Sequence, residues 1–270
     1  MDVLKRHNVH VTGKGKIPMV FAHGFGCDQN MWRFVTPAFE EDYKLVLFDY
    51  VGAGMSDESA YSKEKYSSLQ GYADDILEIC HELDLKDVIL VGHSVSAMIG
   101  VLAVIKEPEL FSNLIMVSPS PYYISEGDYV GGFTKEDLES LLESMDSNYL
   151  GWTSVVAPVI MGNQEQPELA ETLRNSFCRA NPEIAKHFAH VTFTSDNRAD
   201  LPKVKTRSLI LQCTQDTIAP PPVGEYVHQA VPGSELAMID VSGHCPHMSA
   251  PEQTIKAIKA FLSRAGSAKQ

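Results

Sequence analysis

A serine, an aspartate and a histidine have the residue types and the positions needed for nucleophilic catalysis. Ser94 lies in the segment Gly92-His93-Ser94-Val95-Ser96, after the apolar run 88–91 and before a helix-prone stretch at 97–105. A serine in a tight turn between a buried strand and a helix presents its hydroxyl above the sheet edge, beside backbone N–H groups. Ser96 stands where the usual G-x-S-x-G pattern ends in glycine. On this segment alone, an ordinary strand-to-helix turn remains an alternative.

Asp216 and His244 each follow an apolar run in which we predict a strand, at 208–213 and 235–239. The carboxyl ends of parallel strands lie at one edge of a sheet, so these side chains can converge on Ser94. An imidazole would take the proton of the serine hydroxyl, and a carboxylate would orient the imidazole. Alone, Asp216 could merely cap a turn, and His244 could be an ordinary loop histidine. Together, in the order Ser, Asp, His, they favour the arrangement of α/β-hydrolases.

A glycine-rich loop, His23-Gly24-Phe25-Gly26, follows another predicted strand. Negative charge that develops on an attacked carbonyl oxygen needs preorganised donors. We expect the backbone N–H groups of Phe25 and Val95 to supply them. A helix is predicted at 28–35, with Asp28 as its N-cap.

Strands and helices alternate over most of the chain, and the strands are apolar on both faces, which predicts a parallel sheet covered on both sides. Gly13-Lys14-Gly15 is expected to close an opening hairpin. The other predicted strands are at 7–12, 18–22, 44–48, 88–91 and 114–117, and the helices at 69–83, 97–105, 222–231 and 251–262.

The alternation stops between residues 121 and 195, where only helical patterns occur. These are predicted at 135–145, 149–161, 167–178 and 182–191, with Thr134 and Asn181 as N-caps. Residues 1–120 and 196–270 would then form one core with a helical lid, 121–195, inserted in it. We expect the walls of an apolar substrate pocket to include Phe25, Phe133, Trp152, Val156, Phe188 and Phe193.

Composition excludes several other classes of function. The 270 residues include 22 Lys and Arg against 35 Asp and Glu, a net charge of −13 that disfavours nucleic acid and anionic membranes. No segment approaches the roughly 20 apolar residues of a membrane span, so we expect a cytoplasmic protein. The five cysteines are scattered, which predicts small buried side chains rather than disulfides or a zinc site. His244 and His247 have a metal-like spacing, but Pro246 separates them and no third ligand is near.

Five segments resemble the α/β-hydrolases that include the bacterial stress-response regulator RsbQ and the plant karrikin and strigolactone receptors. They are His23–Gln29, Phe48–Gly54, Gly92–Ala97, Gly131–Phe133 and Gly243–Met248. The resemblance covers essentially the whole chain. Around Ser96 the chain is more similar to the plant receptors, since RsbQ has glycine there.

This resemblance implies an eight-stranded α/β-hydrolase core with a lid of four helices, and it places the catalytic roles on Ser94, Asp216 and His244. We expect a monomer without a cofactor that cleaves an ester or an enol-ether, butenolide-like bond of a small hydrophobic ligand. A second implied function is signalling, in which ligand hydrolysis alters binding to a protein partner. For RsbQ that partner is a phosphatase with a sensory PAS domain.

Overall fold

Seven strands form a single sheet, and Ser94, Asp216 and His244 lie at its carboxyl edge. The computed structural model describes residues 2–266. The strand order is β1-β3-β2-β4-β5-β6-β7; β1 is antiparallel to β3 and every other neighbouring pair is parallel. The strands are β1 His10–Thr12, β2 Ile17–Ala22, β3 Tyr43–Leu47, β4 Val88–His93, β5 Phe111–Val117, β6 Arg207–Gln215 and β7 Glu235–Ser242.

The described residues therefore form seven strands and not the expected eight. The strand predicted at 7–12 is also shorter than expected. Asp2 caps a helical turn, α1 Val3–Arg6, because its carboxylate accepts the N–H groups of Leu4 and Lys5. Residues ahead of β1 are thus held in a helix and a turn.

The predicted opening hairpin is wrong, because β3 lies between β1 and β2 in the sheet. The connection from β1 to β2 passes over the start of β3. The Lys14 N–H donates to the Glu40 carbonyl, and the Gly15 N–H donates to the Tyr43 carbonyl. These bonds replace the contacts that a tight hairpin would have made with its own second strand.

Ten α-helices flank the sheet or follow its strands in the described residues. They are α1 Val3–Arg6, α2 Leu69–Glu82, α3 Val95–Lys106, α4 Lys135–Ser147, α5 Tyr149–Met161, α6 Pro167–Arg179, α7 Pro182–Thr194, α8 Pro221–Ala230, α9 Pro246–Ser249 and α10 Pro251–Gly266. Short 3₁₀ helices occupy Gln29–Trp32, Thr36–Ala38, Glu58–Ala60, Pro108–Leu110 and Leu201–Lys203.

Helices α4 to α7 lie between β5 and β6, and we call them the four-helix insertion. The N-caps predicted for two of them are confirmed: Thr134 accepts the Asp137 N–H, and Asn181 accepts the Glu183 N–H. Asp28 is also an N-cap, but of the 3₁₀ turn Gln29–Trp32 and not of the longer helix predicted at 28–35.

Both faces of the central sheet are covered, which confirms the prediction made from the apolar strands. All six residues of β4 are buried, as expected for a parallel strand between two helical layers. No described helix combines the length and apolar composition required to cross a bilayer. All five cysteines are free thiols; four are buried, but Cys178 is only half-buried, contrary to expectation.

Candidate active site

Ser94 lies on a sharp turn between β4 and α3. Its backbone has a φ of 56°, a left-handed conformation that is strained for a residue with a side chain. The turn is tight: a Cβ atom on Gly92 would lie 2.3 Å from the carbonyl oxygen of Ser96. The Ser94 N–H still pairs with the Val117 carbonyl of β5 at 2.8 Å. The strain is thus held by the sheet, and it directs the serine side chain away from the strand.

The structure brings Ser94, His244 and Asp216 into one hydrogen-bonded chain. His244 Nδ1 lies 2.6 Å from Asp216 Oδ2, and His244 Nε2 lies 2.7 Å from Ser94 Oγ. All three residues are buried. An ionised carboxylate can only accept, so Nδ1 carries the proton and Nε2 is free to accept the serine O–H. This arrangement can move the serine proton to the imidazole.

Asp216 is oriented by the turn that follows β6. Its Oδ1 accepts the N–H groups of Ile218 and Ala219, at 2.8 and 3.0 Å. Those two bonds occupy one carboxylate oxygen and leave Oδ2 directed at His244.

The loop that carries His244 is held from two sides. The His244 N–H donates to the Ile160 carbonyl of α5, and the His244 carbonyl lies 2.8 Å from His93 Nε2. A carbonyl only accepts, so His93 is protonated at Nε2. Burial, with His247 and His244 nearby, holds the pKa of His93 well below its ordinary value. His93, the residue before Ser94, is therefore a neutral donor that links the turn at Ser94 to the loop that carries His244.

The glycine-rich loop after β2 lies directly against Ser94. A Cβ on Gly24 would be 3.4 Å from the Ser94 Cβ and 2.5 Å from His93 Nδ1, so this close approach requires glycine. Phe25 is the next residue in the loop. Val95 is the first residue of α3, where a backbone N–H has no partner within the helix.

An apolar cavity of about 130 Å³ adjoins Ser94 and His244. The residues expected in its wall are present except one: Phe25, Phe133, Trp152, Val156 and Phe193 line it. The residues that sequence reasoning did not assign to this wall are Cys27, His93, Tyr123, Leu141, Val159, Ile160, Leu173, Thr192, Thr217, Ile218 and Cys245. Aliphatic and aromatic side chains thus surround the Ser94 hydroxyl.

Phe188 is the exception: contrary to the prediction, it does not line this cavity. Its ring stacks on Tyr72 at a centroid distance of 4.3 Å. It lines a separate, smaller cavity beside Tyr50. Helix α7 therefore turns Phe188 toward α2 and presents Thr192 and Phe193 to the cavity beside Ser94.

Tyr123 is a polar residue of the cavity that was not among the predicted site residues. Burial raises its pKa to about 12, an effect that the neighbouring Ser94 hydroxyl reduces. Its phenol thus remains protonated at neutral pH and can donate a hydrogen bond inside an otherwise apolar space.

A second cluster of titratable residues lies away from Ser94. His7, Asp75 and Glu78 bring their ligand atoms within 4.8 Å of one another. Two cations already neutralise the carboxylates: Lys65 Nζ lies 2.6 Å from Asp75 Oδ1, and Arg6 pairs with Glu78. Since these ion pairs fill the cluster, we interpret it as a packing contact between α1, α2 and the loop before α2. Asp75 and Glu78 are three positions apart on α2, but His7 is far from both in sequence, so no spacing could have revealed the cluster.

Comparison with known proteins assigns the family. The model of the alpha/beta hydrolase family matches residues 19–257, and the chain belongs to that family. It is 41% identical to a karrikin insensitive 2 receptor of Petunia hybrida, over 94% of each chain. It is 35% identical to a strigolactone esterase of Arabidopsis thaliana, over 97% of this chain and 98% of the relative.

A solved structure supports the same assignment. A hydrolase from Oleispira antarctica superposes with a TM-score of 0.95 at 44% sequence identity, covering 97% of this chain and 96% of that one. The chain is therefore a hydrolase-family protein whose relatives include a karrikin insensitive 2 receptor and a strigolactone esterase.

Proposed function

We propose that this protein is a serine esterase that cleaves an ester or an enol-ether, butenolide-like bond of a small hydrophobic ligand. The observation that carries this proposal is the hydrogen-bonded chain from Asp216 through His244 to Ser94. With an ester substrate, Ser94 Oγ attacks the carbonyl carbon in the first step while its proton passes to His244 Nε2. The leaving alcohol or enol takes that proton, and a covalent acyl-Ser94 intermediate remains. Water then releases the acid by the reverse proton movements.

Two backbone donors would stabilise the negative charge of the tetrahedral intermediate. We assign this role to the N–H groups of Phe25 and Val95, which belong to the two segments that flank Ser94. Donors fixed before the reaction need no reorganisation as the charge develops, and each contributes about 10²- to 10³-fold in rate.

The four-helix insertion would act as a lid, with residues 121–195 inserted between core segments 1–120 and 196–270. It supplies much of the apolar wall, which excludes water and favours hydrophobic ligands. The cavity volume of about 130 Å³ is close to the ~150 Å³ of an engineered cavity that holds benzene. We infer that the enclosed part of the substrate is about the size of one small ring.

Hydrolysis of p-nitrophenyl acetate by purified wild-type protein and by Ser94→Ala tests the proposal. We expect saturable turnover by the wild type and a loss of at least about 10³-fold in kcat for the variant, because the nucleophile is removed. Mass spectrometry should detect an acyl group on Ser94 when turnover is stopped early. Equal rates for the two proteins, measured with circular dichroism showing that both are folded, would contradict the proposal.

A second candidate function is ligand-dependent signalling through a protein partner. It is favoured by the match to a karrikin insensitive 2 receptor over nearly the whole chain. The resemblance to RsbQ suggests a PAS-linked phosphatase as the partner. Pull-down of such a phosphatase by wild-type protein, with and without a butenolide ester, tests this function. Binding that responds to the ester in wild type but not in Ser94→Ala would support it, and no binding in either condition would argue against it.

A further inference from the structure

Ser96, the residue that departs from the usual nucleophile motif, makes two buried hydrogen bonds that glycine could not make. Its hydroxyl donates to the main-chain carbonyl of His23 and lies 2.9 Å from the Tyr50 hydroxyl. Ser96 is fully buried and Tyr50 nearly so. Neither bond involves Ser94 itself. Ser96 therefore connects the start of α3 to the glycine-rich loop.

The directions of these bonds follow from their chemistry. A carbonyl only accepts, so the single hydroxyl proton of Ser96 points to His23. The Tyr50 hydroxyl must then donate to Ser96 Oγ. Burial keeps the pKa of Tyr50 well above its ordinary value, so that proton is retained at any physiological pH. Tyr50, Ser96 and His23 form a directed chain in which each bond strengthens the next.

The same loop is fixed at its next peptide group. The Gly24 carbonyl accepts the Cys27 N–H at 3.2 Å and lies 2.9 Å from His23 Nδ1. His23 Nε2 accepts the Tyr50 N–H at 3.2 Å, so Nδ1 carries the proton and donates to Gly24. The Gly24 carbonyl and the Phe25 N–H belong to one planar, trans peptide and point in opposite directions. Bonds that hold this carbonyl also fix the direction of the Phe25 N–H.

We propose that Ser96 is a positioning residue for the oxyanion donor on Phe25, which it orients through His23 and with the help of Tyr50. This inference rests on the proposed esterase function. Ser96 touches no reacting atom; it holds the peptide group before Gly24, while the His23 ring and the Cys27 N–H hold the peptide group after it. The nucleophile turn thus carries both the serine that attacks and, two residues later, the side chain that fixes the donor opposite it.

Kinetics of Ser96→Ala on a matched pair of substrates test this role. The pair is an oxygen ester and its thionoester, in which sulfur replaces the carbonyl oxygen and accepts hydrogen bonds poorly. With the oxygen ester, we expect kcat to fall about 10- to 100-fold with KM changed less than about twofold, since misplacing a donor affects mainly the transition state. With the thionoester, we expect a loss below about threefold. The ratio of oxygen-ester to thionoester rates should therefore fall.

Two further variants keep the test decisive. Tyr50→Phe removes only the hydroxyl that supports Ser96, and it should shift the rate ratio in the same direction by a smaller factor. Ser208→Ala is the matched control: Ser208 is also fully buried and donates to one main-chain carbonyl, that of Thr206, at the opposite end of β6 from Asp216. We expect its rate ratio to equal that of the wild type.

The outcomes separate this inference from the proposed function. If the wild type hydrolyses neither substrate, the esterase function is wrong. If wild type is active and Ser94→Ala is not, but Ser96→Ala keeps the wild-type rate ratio, the positioning role of Ser96 is overturned. Equal losses on both substrates would indicate general distortion of the site, and would also overturn it. If Ser96→Ala does not fold, the ratio for Tyr50→Phe decides.

Discussion

The two sides of the cavity are built from different interactions. On the core side, hydrogen bonds between side chains and the main chain fix the direction of each functional group, as in the pair of bonds from Ile218 and Ala219 to Asp216. On the side of the four-helix insertion, aromatic rings in edge-to-face contact fill the space, as Trp152 does against Phe177 at 5.6 Å. The core side thus fixes the directions of polar groups, and the insertion side fixes the volume and shape of the cavity. We expect substitutions on the core side to change kcat and those on the insertion side to change substrate preference.

Phe25 belongs to both sides. Its main chain is part of the core loop beside Ser94, and its ring is in edge-to-face contact with Trp152, Phe177 and Phe193, at 6.3, 5.4 and 6.1 Å. A shift of the insertion could therefore reach the main chain of this loop through the ring. The hydrogen bonds that Ser96 and the His23 ring make to the main chain of this loop oppose such a shift.

Asp216→Asn should have the largest effect, on the core side. The Ile218 and Ala219 N–H groups will keep the amide oxygen in the position of Oδ1, so the amide NH₂ faces His244. His244 must then accept at Nδ1 and carry its proton at Nε2, where it cannot take the proton of Ser94. We expect kcat for p-nitrophenyl acetate to fall about 10⁴-fold with little change in KM. A fall below about 100-fold, in a variant with an unchanged thermal unfolding curve, would mean that Asp216 does not set the tautomer.

Val156→Phe should have a smaller effect, confined to substrate preference. Val156 lines the cavity, and a larger ring there reduces the space for an acyl chain. We expect kcat/KM for p-nitrophenyl butyrate to fall about 10-fold, within the range for crowding by one or two methylenes, and that for the acetate to change less than about twofold. Val155→Phe is the matched control, because Val155 is 68% exposed on the same helix. If both esters lose activity equally, the two sides are not separable in function.

The functional residues of the core side were predictable because of where they stand in sequence. Asp216 and His244 come directly after apolar runs, and a parallel sheet brings such positions to one edge. The contacts that hold the glycine-rich loop, in contrast, could not be read from the sequence. Ser96 contacts His23 and Tyr50, which are 73 and 46 residues away, and no local pattern predicts which hydroxyl meets which carbonyl.

The insertion was predictable as helices but not in its orientation. Phe188 and Phe193 are both apolar residues of α7, yet they lie five positions apart, about 140° around a helix with 3.6 residues per turn. Only one of them can face the cavity, and packing against α2 decides which. The predicted pairing of β1 with β2 was wrong for a similar reason, since the turn residues Lys14 and Gly15 bond to Glu40 and Tyr43, which no local pattern predicts.

His247→Phe, on the core side, should have no large effect on activity, but it should change how the free energy of unfolding of the protein responds to acid. His247 is buried between Trp32 and His93, with ring centroids at 4.5 and 4.4 Å. Burial, with smaller effects of His244 and Arg33, lowers its pKa to about 3. As pH falls from about 6.5, the unfolded chain takes up a proton that the folded protein refuses. The free energy of unfolding should therefore decrease by up to about 1.4 kcal/mol per pH unit until about pH 3.

The variant removes this titration while keeping a ring of similar size between Trp32 and His93. Urea unfolding at pH 7 and pH 5 measures the difference, and the groups that titrate alike in both proteins cancel. We expect wild type to lose up to about 2 kcal/mol more than His247→Phe over this interval, the product of the slope and the range below pH 6.5. Parallel losses in the two proteins would show that His247 accepts a proton in the folded state. In that case the core side of the cavity would accommodate a buried positive charge between Trp32 and His93.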